Sequence, residues 1–433
     1  MDRADAKILL ADLYRAAVAA VAPGPALARA LKNEPADTRV WLIALGKAAA
    51  PMAEAAVRAL GERSVQTRAP AGGLIVAPDN TSAPHPSLEV VVGDHPEPAA
   101  GSIAAADALD RLVKRIPPGD TVWVLLSGGT TSLIGAPQPG IFVDELKALY
   151  TTLLRSGLDI KEMNRVRKRF TRWSGGRLAR SLAHARVRCY IVSDVIGDDL
   201  AAIGSGPCVA DPSTARDVKD ALVRAGLWQG LGVSLRQHLD AVDRGELPET
   251  PKPGDPVFAR VESTLIATNR MALEAAARRA IEVGLAAEIV DQPFAGEAAI
   301  AGASIAERLL AGGRGDAPSR CLILGGETTV TIGDRGAGMG GRSQELALSA
   351  ARVLRQTPVV ALLAAGTDGR DGPTDAAGAV VDGATWEAVA AAGRDGATDL
   401  QHHDSYAALA SVDALIKTGP TGTNVMDVVI GIT

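Results

Sequence analysis

The residues best suited to chemistry lie just after apolar runs. RVWLIAL (39–45) is followed by Gly46-Lys47 and then by helix-forming residues. A lysine in a first helical turn opposes the helix dipole, which favours acids there. Such a lysine is either a solvated surface charge or a cation aimed at a phosphate. TVWVLL (121–126) runs into Ser127-Gly128-Gly129-Thr130-Thr131-Ser132. Its glycines let backbone N–H groups converge and its hydroxyls add donors, which together describe an anion nest. VRCYIV (187–192) delivers Asp194, placed where a general base or a magnesium ligand would stand. PVVALLAA (358–365) delivers Asp368 inside a loop dense in acids and glycines, which suits a hard cation or plain solvation. Asn269 follows TLIAT (264–268) as a further polar group for substrate. The run TGPTGTN (418–424), with Thr423 and Asn424, again offers donors to an oxyanion.

Gly336, Gly338 and Gly341 spell G-x-G-x-x-G ahead of Arg342 and a helix-like run. A dinucleotide fingerprint sets its first glycine directly at a strand end and an acid about 20 residues further on. Here Gly333-Asp334-Arg335 separate the expected strand TTVTI (328–332) from Gly336, and Asp368 comes too late. The context favours an oxyanion clamp instead. Gly340 and Gly341 would let the backbone approach, and Arg342 would supply a planar, permanently charged fork. An NAD(P)H-dependent hydroxypyruvate reductase is the alternative that the glycines motivate, and a non-catalytic phosphometabolite-binding protein is another. Gly46-Lys47-Ala48 lacks the upstream glycines and the Ser/Thr of a Walker A loop.

The elements that must position these groups alternate along the chain. Apolar strand-like runs occur at 39–45, 73–76, 88–92, 121–126 and 187–192, then at 264–268, 287–290, 321–324, 328–332 and 358–365. Most are apolar throughout, as strands covered on both faces are. Helical stretches such as AAAPMAEAAVRAL and SQELALSAARVL lie between them, the signature of an α/β protein. In open α/β sheets ligands sit beyond the carboxyl ends of the strands, where the polar turns fall. DRGELPETPKPGDP (243–256), with its four prolines, is the expected boundary between residues 1–245 and 257–433. GGRGDAPSR (312–320) reads as a surface loop.

With 433 residues, the chain exceeds one ordinary core. Its formal charge of −5 and lack of a Lys/Arg block argue against nucleic acid or an acidic membrane surface as partner. No run reaches the roughly 18 apolar residues of a membrane span. Three widely spaced cysteines without a C-x-x-C suggest reduced thiols and a cytoplasmic location. The histidines form no metal-spaced set.

The motifs, in their order, resemble the glycerate 2-kinase family, which carries an N-terminal kinase-like domain followed by a MOFRL domain and is sometimes labelled hydroxypyruvate reductase. The resemblance is carried by LGKAAAPM (45–52), GDHPEP (93–98), LLSGGTTSLI (125–134), NRVRKRF (164–170), SGGRLA (174–179) and SDVIGDDLAAIGSGPCVADPST (193–214). It continues through LGGETTVTI (324–332), GMGGRSQELAL (338–348), AAGTDGRDGPTDAAGAVVD (364–382), DSYAAL (404–409) and TGPTGTNVMD (418–427). It implies ATP-dependent phosphorylation of D-glycerate at the 2-hydroxyl, with magnesium. It also implies a Rossmann-like larger domain with a parallel sheet, a smaller α/β domain, and an active site in a cleft between them to which the last segment returns. The family's lysine after the first strand falls on Lys47, and the arginine of its GGRNQE-type motif on Arg342. Ser127, Gly128, Gly129 and Thr130 would bind phosphate or substrate. Asp194 would take the hydroxyl proton or hold magnesium, with Asp368 as a second ligand. A homodimer is compatible with this reading. Ser343, Ser174 and Met426 stand where the family usually has asparagine, lysine and asparagine.

Overall fold

A computed structural model describes residues 3–34, 39–62, 69–158, 160–311, 319–333, 338–357 and 360–433. The chain divides into two compact units: Pro23–Ile266, and Met1–Ala22 together with Ala267–Thr433.

The first unit is built on a six-stranded sheet. Its strands are β1 (Val40–Leu45), β2 (Gly72–Ala77), β3 (Leu88–Val92), β4 (Thr121–Leu126), β5 (Arg186–Val192) and β6 (Val261–Ala267), in the order β3-β2-β1-β4-β5-β6. β1 to β5 pair in parallel, and β6 completes the sheet beside β5. Every residue of β1, β2 and β4 is buried, as their unbroken apolar sequences require. The chain leaves β1 for the β2 side and returns to β4 on the other, so the strand order reverses between β1 and β4. That is the topological switch point, where this class of sheet holds its ligands. A separate helical core forms beside the sheet, where Val166 and Phe170 of helix Ile160–Phe170 pack among Leu146, Leu149, Val218 and Leu235.

The second unit carries β7 (Ala286–Ile289), β8 (Arg320–Gly326), β9 (Ala361–Gly366), β10 (Gly378–Asp382), β11 (Leu415–Ile416) and β12 (Asp427–Ile432). The order is β11-β10-β9-β12-β8-β7. β12 runs antiparallel to both β8 and β9, β10 runs antiparallel to β9, and only β7 pairs with β8 in parallel. This α/β unit is therefore mixed, and the apolar β12, which was not among the strands read from the sequence, lies inside the sheet and antiparallel to both neighbours. The N-terminal helix Arg3–Ala20 belongs here. Asp12 pairs with Arg279 at 2.7 Å, and the Tyr14 hydroxyl donates to Gly366 O at 2.7 Å.

Three expectations need correction. The proline-rich stretch 243–256 is not a boundary, because it is built into the first unit. Asp211 N donates to Pro251 O, the buried Thr250 hydroxyl donates to Asp211 at 3.0 Å, and Glu249 pairs with Arg169. The helix Val233–Asp243 has already ended before these prolines, and Pro256 opens the short 3-10 turn Pro256–Phe258. The first 22 residues join the second unit, so the 1–245 grouping does not describe the packing. TTVTI forms no strand; only an isolated bridge joins Thr329 to Glu297. Residues 312–318 of the expected surface loop, Gly336 of the glycine run, and Pro358 and Val359 lie outside the described residues. Among the described residues no single helix is long and apolar enough to cross a membrane.

Candidate active site

At the switch point the turns after β1 and β4 are laced together. Ser127 N donates to Leu45 O at 3.0 Å, Lys47 N to Gly128 O at 2.9 Å, and Ala48 N to Ser127 Oγ at 3.0 Å. Gly46 has a φ of +119° and its α-carbon faces Ser127 so closely that a methyl group would overlap Oγ. Glycine is required there both for conformation and for space.

Side chains from two further turns, together with that of Lys47, converge on Gly128-Gly129. A methyl group at Gly128 would overlap Oδ2 of Asp194, which follows β5. One at Gly129 would stand 3.1 Å from His95 Cδ2 and 3.3 Å from Lys47 Cγ. Lys47 is exposed, while Asp194 is half-buried. Burial raises the Asp194 carboxyl above the ordinary carboxylate value, with the Lys47 charge pulling the other way. Burial and then the Lys47 charge hold His95 below the usual histidine value. A proton acceptor, a cation and a side-chain-free glycine pair thus share one edge of the sheet. His95 was not singled out in the sequence. It sits in GDHPEP with no metal-type spacing, and its proximity to Lys47 is purely tertiary.

The hydroxyls of the nest play a different part from the one expected. Thr130 Oγ1 donates to Ser127 O at 2.8 Å and Ser132 Oγ to Gly129 O at 3.1 Å, while Thr131 Oγ1 meets Ser205 Oγ at 2.9 Å. Ser127 Oγ accepts from Ala48 N. These groups stiffen the loop, which leaves the glycine backbone to face a ligand.

In the second unit Arg342 begins the helix Arg342–Leu354, but its fork is already engaged. Nε and Nη2 bind the two oxygens of Asp427 at 2.5 and 2.9 Å, and Nη1 lies 3.0 Å from Glu327. Burial works against the guanidinium charge, yet Asp427 and Glu327 outweigh it and hold the group above its ordinary pKa. Asp427 itself is buried at the start of β12. Asp368 is half-buried after β9; its carboxylate accepts from Arg370 N at 3.0 Å. The backbone N–H groups that open the Arg342 helix are also taken. Ser343 N and Gln344 N donate to Asp371 at 3.1 and 2.7 Å. Ahead of them Gly338 N donates to His402 O at 2.7 Å and Met339 N to Asp404 Oδ1 at 3.0 Å. Gly340 faces Ser405, and Gly341 faces Asp371 with no room for a side chain. The glycines here admit other parts of the same chain.

Asn269, Thr423 and Asn424 have structural partners. Asn269 Nδ2 donates to Val425 O at 2.8 Å and to Asp427 O at 3.0 Å, Thr423 Oγ1 donates to Val21 O, and Asn424 Oδ1 accepts from Met426 N. Met426 has a φ of +69°, a left-handed conformation in which asparagine is favoured over most side chains. Thr367 stabilises it by donating from both N and Oγ1 to Met426 O. These bonds stitch the TGTNVMD run to the end of β9, beside Asp368.

Among the described residues no group of three His, Cys, Asp or Glu side chains could hold a metal by itself. Magnesium commonly takes as few as one carboxylate when phosphate oxygens and water complete its shell; Asp194 in the first unit and Asp368 in the second are each a single carboxylate of that kind.

Comparison with known proteins agrees with this architecture. Residues 9–240 match the family described as a domain of unknown function, DUF4147, and residues 320–427 match the MOFRL family. A glycerate 2-kinase of Pyrococcus horikoshii is 40% identical over 91% of this chain and 87% of its own length. A D-glycerate 2-kinase of Thermotoga maritima is 38% identical over 98% of both chains. A crystal structure of glycerate kinase from Thermotoga maritima superposes with a TM-score of 0.88 over 99% of each chain, at 38% identity. Some relatives carry the name of a hydroxypyruvate reductase instead. On full-length identity and on fold, the chain belongs to the glycerate 2-kinase family.

Proposed function

We propose that this protein transfers the γ-phosphoryl group of ATP to the 2-hydroxyl of D-glycerate, giving 2-phosphoglycerate and ADP. The observation that carries the reading is the convergence of Lys47, Asp194 and the Gly128-Gly129 backbone at the β1/β4 switch point. Phosphoryl transfer asks a protein mainly for positioning and for positive charge around the equatorial oxygens. Lys47 supplies that charge from an exposed position, and the glycine pair lets the phosphate approach the backbone. In the step, the glycerate 2-oxygen forms a bond to the γ-phosphorus while the bond to the β,γ-bridging oxygen breaks. Asp194 accepts the proton that the hydroxyl loses. Its raised pKa makes it a better base than an ordinary carboxylate. Magnesium, carried on the nucleotide and met by the Asp194 or Asp368 carboxylate, would neutralise phosphate charge. Arg342 contributes by holding Asp427, which lies beside Asp368, with its fork on the Asp427 carboxylate and its remaining nitrogen on Glu327.

The test is a pair of assays on one preparation. Glycerate with ATP and magnesium should yield 2-phosphoglycerate, and hydroxypyruvate with NADH should show no NADH oxidation. Reduction of hydroxypyruvate without phosphorylation of glycerate would overturn the reading.

A further inference from the structure

A second concavity in the first unit is lined by donors that the switch-point chemistry does not use. Its volume is about 440 Å³, within the range of small-molecule sites. One wall is a single face of helix Ile160–Phe170, which presents Lys161, Asn164, Arg165 and Lys168 at intervals of three and four residues. The opposite wall is the 199–202 loop together with residues 211–213 and Asp217.

By formal charge the pocket looks balanced, since Asp199, Asp211 and Asp217 also line it. By hydrogen-bond capacity it is not. Asp211 accepts from Ser213 N, Ser213 Oγ and Thr250 Oγ1, and lies 3.4 Å from Arg169. Asp217 accepts from Thr214 N and Oγ1 at the start of its helix. Asp199 Oδ1 accepts from Ala201 N at 2.9 Å. The donors are spent far less. Among the described residues the side chains of Lys161 and Asn164 make no hydrogen bond or ion pair. Arg165 has only Glu162, which lies on its own helix, at 2.8 Å. Lys168 is 7% exposed, yet its ammonium has one hydrogen-bond acceptor, Ala201 O at 3.2 Å, for three N–H bonds. A lysine held this far from water with donors to spare is costly unless something else accepts from it.

We propose that this pocket binds a small oxyanion, the carboxylate or phosphate group of a low-molecular-weight metabolite, on Lys161, Asn164, Arg165 and Lys168. The loop that walls the pocket gives the site its consequence. Asp194, at its start, lies against Gly128, and Ser205, at its end, meets Thr131. An anion held by Lys168 beside Ala201 therefore touches the segment that positions the proposed base. The proposal concerns binding alone and needs no assumption about phosphoryl transfer.

Calorimetric titration of the full-length protein without nucleotide tests it, with inorganic phosphate in one arm and D-glycerate in the other. Saturable binding that depends on Lys168 identifies phosphate as the source of the anion in the phosphate arm and a carboxylate in the glycerate arm, whereas D-glycerate bound as substrate at the switch point does not depend on Lys168. Lys168→Met should weaken that binding at least tenfold. Lys161→Ala with Arg165→Ala, at positions with little structural role, should do the same while the melting temperature holds. Lys47→Ala should leave it unchanged. Absence of saturable binding in both arms would overturn the proposal. So would undiminished binding in the pocket variants, or loss confined to Lys47→Ala, which would assign the anion to the switch point.

Discussion

The carboxylate of Asp371 caps the helix that begins at Arg342, accepting from Gln344 N at 2.7 Å as well as from Ser343 N. A dinucleotide enzyme reserves that helix terminus for a pyrophosphate; here a side chain of the same unit fills it. NADH should therefore show no saturable binding to the wild-type protein by calorimetry. Micromolar binding would mean that Asp371 is displaced and that the glycine run is a nucleotide fingerprint after all.

The same carboxylate makes a prediction about stability. Burial raises the Asp371 pKa to about 6, against the pull of the two N–H groups. The native state then holds a proton that the unfolded chain releases near its ordinary value of about 4. The contribution is therefore present at low pH and is lost as pH rises from about 4 through about 6. Denaturant midpoints for Asp371→Asn should lack that component of the pH slope. An identical slope in the variant would assign it to other groups.

Lys47→Ala should lower turnover by roughly 10²–10³-fold, the order expected when one group stabilising developing charge is removed. Because the lysine is exposed, the melting temperature should move little. Near-normal turnover would return Lys47 to the role of a solvated surface charge.

Gly128→Ala adds only a methyl group, but it would collide with Oδ2 of Asp194. Turnover should fall as Asp194 is pushed aside, and Gly128→Ala combined with Asp194→Asn should be no worse than Asp194→Asn alone. Additive losses would show that the glycine serves something other than that carboxylate.

The pH–rate profile follows from the environment of Asp194. A base must be deprotonated, so turnover should fall on the acid side as pH drops through its raised pKa, above the range of an ordinary carboxylate. Asp194→Asn should abolish that limb together with most of the activity. An acid limb that survives in Asp194→Asn and disappears in His95→Gln would assign the base to His95.

Arg342→Lys preserves charge but cannot span both oxygens of Asp427. Asp427 is buried but the Arg342 side chain is 35% exposed, so partial loss of the pair costs less than the about 3–5 kcal/mol typical of removing one partner of a fully buried pair. The variant should lose activity and stability together, by less than that full amount. A variant impaired in turnover with an unchanged unfolding free energy would show that Arg342 acts on substrate rather than through Asp427.

What the sequence by itself determined is the set of strand-end turns. Buried parallel strands must be apolar throughout and their turns must not be, so Lys47, Ser127-Gly128-Gly129 and Asp194 could be located after β1, β4 and β5 without coordinates. The apolar run of β12 carried no such information, because a central antiparallel strand and a parallel one are equally apolar. Nor did the prolines of 243–256 reveal that Thr250 is buried on Asp211. The partners of the glycine clamp were settled only in the tertiary structure. Asp371 reaches Ser343 across 28 positions and Asp427 reaches Arg342 across 85. Local propensity encodes where a helix starts and a strand ends. Which carboxylate neutralises an arginine or caps a helix depends on how distant segments pack, and that decided whether Arg342 offers its fork to a ligand or to its own chain.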